Sequence, residues 1–130
     1  MKAPTHLGHF PIVVINDYNV IDEKVTGDTD AEALSIGLAQ YNRNDISAKI
    51  FRHTGNMWSR QSEEMPLHRV LDLANLIVEA MLICQNKGSN SQISVNSSSD
   101  LGKLKQYFEE NTDNLEPRLR ELKDTINKLL

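Results

Sequence analysis

The chain has a single cysteine, Cys84, in 130 residues, so no internal disulfide can hold it together. Its position at the end of an apolar run fits a small buried hydrophobe better than a reactive thiol. Aromatic residues make up only 5% of the sequence, and Trp58 is the one tryptophan. No apolar run approaches the roughly 20 residues that cross a bilayer, which argues against a membrane protein. The opening Met1-Lys2-Ala3-Pro4-Thr5-His6 has no apolar signal core, so the expected location is the cytoplasm. Charge of one sign is also scarce: 14 Lys and Arg stand against 18 Asp and Glu, a net −4 that supplies no overall field for nucleic acid. The sequence contains no phosphate-binding Walker loop, no dinucleotide glycine fingerprint, no cysteine-pair zinc motif and no nucleophile elbow. No cofactor is expected.

What is present reads as one α+β domain with an appendage. Pro11-Ile12-Val13-Val14-Ile15 predicts a buried strand. Residues 16–32 carry six acids against Lys24 and read as an irregular acidic connection. Leu34, Ile36 and Leu38 alternate with Ser35, Gly37 and Ala39, which predicts a strand from about 34 to 41 after a capped turn at 29–33. The small residues of its second face allow something to approach closely. A hairpin follows, with strands over 46–52 and 57–62 and a turn at His53-Thr54-Gly55-Asn56. A turn centred on Thr54-Gly55 would set Phe51 opposite Trp58 and Lys49 opposite Arg60; a longer loop would shift both pairs. Pro66 suits a first helical position, and apolar residues then recur at helical spacing from Leu67 to Cys84.

The expected fold is therefore an antiparallel sheet of three to four strands packed on one long helix, with two additional C-terminal helices. The helix is expected to cover the Ile46/Ala48/Ile50 side of the sheet. Domain boundaries fall at 1–85 for the α+β domain, 86–99 for a Ser- and Asn-rich linker, and 100–130 for a helical extension. Leu115, Leu119, Leu122, Ile126 and Leu129 form a short seam opened by Pro117. That seam needs a partner, either the domain itself or another chain, so a protein partner or self-association through 100–130 is expected.

Three groups of residues are candidates for a site. The first is the hairpin face of Lys49, Phe51, Trp58 and Arg60, where rings interleave with cations as in single-stranded nucleic-acid binding. The same residues also suit a core with cations at its rim. The local balance over 43–69 is only five basic against three acidic residues. The second is the polar cluster of Glu63, Glu64, His68, Arg69 and Asp72, with Arg60 nearby. His68 and Asp72 are one helical turn apart, so a carboxylate there could orient an imidazole acting as general base. A junction tied by salt bridges explains the cluster equally simply, and no nucleophile accompanies it, so no residue is assigned as catalytic. The third is the acidic stretch of Asp17, Asp22, Asp28, Asp30 and Glu32, which lacks the calcium-loop pattern. His6 and His9 are three apart with no other ligand nearby, and no metal is expected.

The block Trp58-Ser59-Arg60-Gln61-Ser62-Glu63-Glu64-Met65-Pro66-Leu67-His68-Arg69-Val70-Leu71-Asp72-Leu73 resembles a family of small uncharacterised bacterial proteins of unknown function. Ala3-Pro4-Thr5-His6-Leu7 and Leu34 to Gln40 share in that resemblance, which covers roughly residues 3–83. It implies a bacterial source and no assigned activity. In layout alone, a curved sheet followed by one helix is similar to the positive cofactor four type of single-strand DNA-binding domain. The acidic balance departs from that pattern. The expected function is a non-enzymatic binding or regulatory module, with possible homodimerisation. Single-stranded nucleic-acid binding through the hairpin face and a small enzyme using His68 are the alternatives.

Overall fold

The computed structural model describes residues 1–88 and 90–130 and divides into two units, Met1–Leu73 and Ala74–Leu130. The expected 86–99 linker includes Ser89, which lies outside the described residues. The class is α+β, as expected. In chain order the elements are β1 (Phe10–Ile15), α1 (Asn19–Thr26), β2 (Ala31–Leu38), β3 (Ile46–Thr54), β4 (Met57–Trp58), β5 (Glu64–Pro66), α2 (Leu67–Cys84), α3 (Leu101–Glu110) and α4 (Thr112–Leu129). β3 is the hub of an antiparallel sheet: β2 pairs along one edge, β4 and β5 share the other, and β1 pairs with β2.

Four local expectations are corrected. The acidic connection holds a helix, α1, stopped by Gly27 at φ 79°. Its apolar residues Val20, Ile21 and Val25 stay exposed, so burial periodicity gave no sign of it. β2 starts at Ala31, because the Thr29 hydroxyl accepts from the Ala31 amide (3.1 Å) and donates to Asp22 (2.6 Å), capping the strand entrance instead of a helix. The hairpin turns on Gly55-Asn56, with Gly55 at φ 59°, and pairs Thr54 with Met57 and His53 with Trp58. Its return strand stops after two residues, and the chain comes back to β3 further along, where Met65 faces Ala48. In the C-terminal unit Pro117 lies inside α4, which already begins at Thr112.

Strand alternation splits the sheet of the first unit into two unlike faces. On one face, Ala33, Ser35 and Gly37 of β2 meet Phe51, Lys49 and Ser47 of β3. All six are buried, and Leu7 and His9 from the N-terminal segment are buried with them. Leu7, Ala33 and Phe51 form the hydrophobic cluster, with Ala3 and Trp58 packed at its edge. The other face carries Val13, Ile15, Leu34, Ile36, Ala48, Ile50 and Met65. It is the more apolar face, yet Val13 is 65% exposed and Ile15 and Ile36 are exposed as well.

The long helix begins one residue later than Pro66, which closes β5 instead of opening the helix, and the burial expected for it is not reached. Leu71 is 66% exposed, and Leu67, Leu73, Leu76, Ile77 and Val78 are also exposed. Along α2, only Cys84 is fully buried.

The small residues of β2 have a definite use. A Cβ on Gly37 would lie 2.0 Å from the Phe10 carbonyl oxygen and 2.9 Å from His9 Nε2. Backbone cannot yield as a flexible side chain does, so Gly37→Ala should cost about 1–3 kcal/mol or more. Thermal unfolding followed by circular dichroism checks this; an unchanged midpoint would mean that β1 and His9 are not held against Gly37.

Candidate functional site

The hairpin face is assembled as expected in sequence terms but turned inward. Phe51 has no accessible surface, and its ring meets His9 at 5.5 Å and Trp58 at 6.0 Å, both edge to face. Lys49 is 4% exposed. Its ammonium donates to the Ser62 carbonyl (3.3 Å) and sits 5.6 Å from the Phe51 ring centre. Burial lowers the Lys49 pKa, against the pull of Glu64 and Glu63. Trp58 is half-buried and also packs on His53 at 5.1 Å, whereas Arg60 is exposed. Two of the four residues proposed to touch nucleic acid are thus out of its reach. They are the core that the alternation also allowed.

The second cluster does not come together. His68, Arg69 and Asp72 are all exposed, and His68 has no hydrogen bond to Asp72 among the described residues. Glu63 turns instead to Arg52, whose Nε and Nη2 donate to its carboxylate at 2.9 and 2.8 Å. Arg52 Nη1 reaches Asp30 on its other side. These hydrogen bonds hold the Glu63 carboxyl below the usual carboxylate range and raise the Arg52 guanidinium further above its own. The clamp ties together the entrance of β2, the middle of β3 and the approach to β5. Of the acidic stretch, Asp22 and Asp30 are taken up by Thr29 and Arg52.

Glu64 joins a group that sequence spacing did not reveal. It is paired with Lys49 across β5 and β3, and its Oε2 lies 3.1 Å from His9 Nδ1. His9 Nδ1 is also 2.9 Å from Ser47 Oγ, and Nε2 is 2.9 Å from Ser35 Oγ. The carboxylate favours the tautomer with its proton on Nδ1, which leaves Nε2 to accept from the Ser35 hydroxyl. Ser35, His9 and Glu64 therefore stand in the order of a nucleophile, base and orienting carboxylate. Catalysis also requires access, and His9 is fully buried with Ser35 close to it. Ser47 and Ser35 satisfy both ring nitrogens of His9, while Glu64 Oε2 and the Ser62 hydroxyl are buried without a hydrogen-bond partner. The one hint in the sequence was the run of small residues on β2, which made space for an imidazole.

Burial depresses the His9 pKa, with Lys49 acting in the same direction and Glu64 opposing. Well above the ordinary value of 6.5, the imidazole is neutral in both folded and unfolded chains, and its contribution to stability is complete. As pH falls through that value, the unfolded chain takes up a proton that the folded one resists, so stability declines. Urea midpoints should therefore fall from neutral to mildly acidic pH, and His9→Gln should lose that part of the decline. Identical pH dependence in the two proteins would contradict a neutral, buried His9.

What remains open to solvent is the apolar face. Val13, Ile15, Leu34, Ile36, Ile50 and Met65 line a groove of about 510 Å³, bordered by Tyr18 and Glu63 and reaching Val70 at the start of α2. A second, smaller cavity of about 340 Å³ lies within the C-terminal unit among Met81, Cys84, Phe108, Leu115 and Leu119. It takes up the first half of the α4 seam, while Leu122, Ile126 and Leu129 stay exposed. No group of acids, histidines or cysteines among the described residues could hold a metal ion. No described helix is long and apolar enough to cross a membrane.

No curated protein and no solved structure matches the chain. One family does match, over residues 1–90, a span that includes the sheet, the His9 network and all of α2. The chain belongs to the family of unknown function DUF6530.

Proposed function

We propose that the chain is a non-enzymatic binding or regulatory module of the bacterial cytoplasm, and that the open apolar face of its sheet is the surface that binds. One observation carries this reading: the more apolar of the two sheet faces is the uncovered one, with Val13, Ile15 and Ile36 exposed around a groove of about 510 Å³. Contiguous exposed apolar residues rimmed by polar ones mark interaction surfaces. The titratable groups at the groove are Tyr18, Glu63 and Lys49; Glu63 is held by Arg52, and the Lys49 ammonium donates to the Ser62 carbonyl. The ordered polar network lies on the opposite, closed face. Recognition here rests on shape and apolar area, which suits the face of another protein better than a charged polymer.

A working surface of this kind shows itself in solution either as association or as uptake of an apolar dye such as anilinonaphthalene sulfonate. The wild-type chain should show at least one of these, and Ile36→Glu should remove it. The substitution lies at an exposed position, so the far-ultraviolet circular dichroism should not change. A wild-type chain that neither associates nor takes up the dye would contradict the reading.

A further inference from the structure

We infer that residues 1–9 are a strap latched onto the sheet by His9, and that a proton taken up by His9 in mild acid releases the strap as a unit while the sheet stays folded. Release uncovers the groups that His9 and Leu7 now cover: Phe51, Ser35 and Ser47 on the closed face of the sheet.

The strap is attached by side chains. Among the described residues, no backbone amide or carbonyl of residues 4–9 is hydrogen-bonded. Segments of that kind open at lower free energy than the strands beneath them. β2 and β3, by contrast, pair from Ala31 with Arg52 to Leu38 with Ile46, and none of those pairs involves the strap. Three anchors hold it instead. At its start, the Met1 ammonium meets Asp17 at 2.7 Å and the Ala3 amide donates to Asn16 at 2.8 Å. In its middle, Leu7 is buried with Ala33 and Phe51. At its end, His9 is bonded through both ring nitrogens, to Ser47 and to Ser35. β1 starts at the next residue, Phe10, so the strap ends where the sheet begins.

Histidine is the side chain that changes charge between neutral and mildly acidic pH. His9 has no accessible surface. The groups that face it are Ser35 of β2, Ser47 and Lys49 of β3, Glu64 of β5, and Arg43 from the connection between β2 and β3. Burial opposes an imidazolium there, and Lys49 and Arg43 act in the same direction. Glu64 favours it and is outweighed, so the latched ring resists the proton. Once in water, the ring accepts it near the ordinary value of 6.5. The latched state is therefore fully favoured above that value and loses ground below it. The ratio of released to latched chains rises about tenfold per pH unit until the latched ring is itself protonated.

Proton NMR of the full chain, from about pH 8 to about pH 4.5, tests this. The His9 ring protons report its charge, with exposed His6 as the reference titration. The Leu7 methyls report the strap, and the Leu34 and Ile50 methyls report the sheet. Leu7 should move to free-chain positions with the same midpoint as His9, below 6.5, while Leu34 and Ile50 hold theirs. His9→Gln keeps a neutral hydrogen-bonding side chain, so Leu7 should stay in place over the whole range. Leu7→Ala weakens the strap without touching the latch, a second variant in case His9→Gln does not fold. Its His9 midpoint should rise by about one pH unit for each tenfold of strap stability lost. Leu7 signals that stay put while His9 titrates would mean that the proton is accepted in place beside Glu64, and the strap would not be a switch. A His9 that stays neutral to the end of the range overturns the inference too. So does loss of the Leu7 and Ile50 signals together, or a Leu7→Ala chain with the wild-type midpoint.

Discussion

The placement of His9 between Ser35 and Ser47, with Glu64 beside it, organises the first unit. A histidine without accessible surface is costly unless both ring nitrogens find partners, and both do, at 2.9 Å. Meeting that requirement holds the N-terminal segment on the sheet. Leu7 is buried two residues before His9, and the Phe10 carbonyl lies so close to Gly37 that only glycine fits there. The edge of β1, the choice of small residues on β2 and the inward turn of Lys49 follow from the same packing.

This arrangement reverses the usual economy of a two-layer fold. The face bearing serines, a histidine and a lysine is closed, while the face bearing isoleucines, leucines and valines is open. Hydrophobic burial is worth about 25 cal/mol per Å², so an apolar face left in water is a substantial unspent driving force. The same holds for α2, whose residues are apolar around most of its circumference and mostly exposed.

Much of the architecture was legible from period and punctuation. Alternation over 34–38 and 46–51 identified two central strands, and the spacing from about Leu67 to Cys84 identified α2 to within a residue. Elements held by little burial were not legible: α1 buries none of its residues, and β4 is two residues long. The candidate site was half legible. Lys49, Phe51 and Trp58 were rightly grouped, since they do pack together, but alternation states which residues share a face and not whether that face meets solvent. His9 read as a weak metal ligand, because its partners Ser35, Ser47 and Glu64 lie 26 to 55 positions away and hydroxyls leave no periodic signature.

By itself the sequence determined the α+β class, the strand periods, the extent of α2 to within a residue and the absence of membrane-length runs, because these depend on neighbours within a few residues. The tertiary structure alone decided which sheet face is closed and that an aromatic and basic strand belongs to the core. Those outcomes depend on which distant segment packs on a given face. Here the N-terminal segment, carrying a histidine that needs two hydrogen-bond partners, takes the polar side of the sheet and leaves the apolar one unfilled.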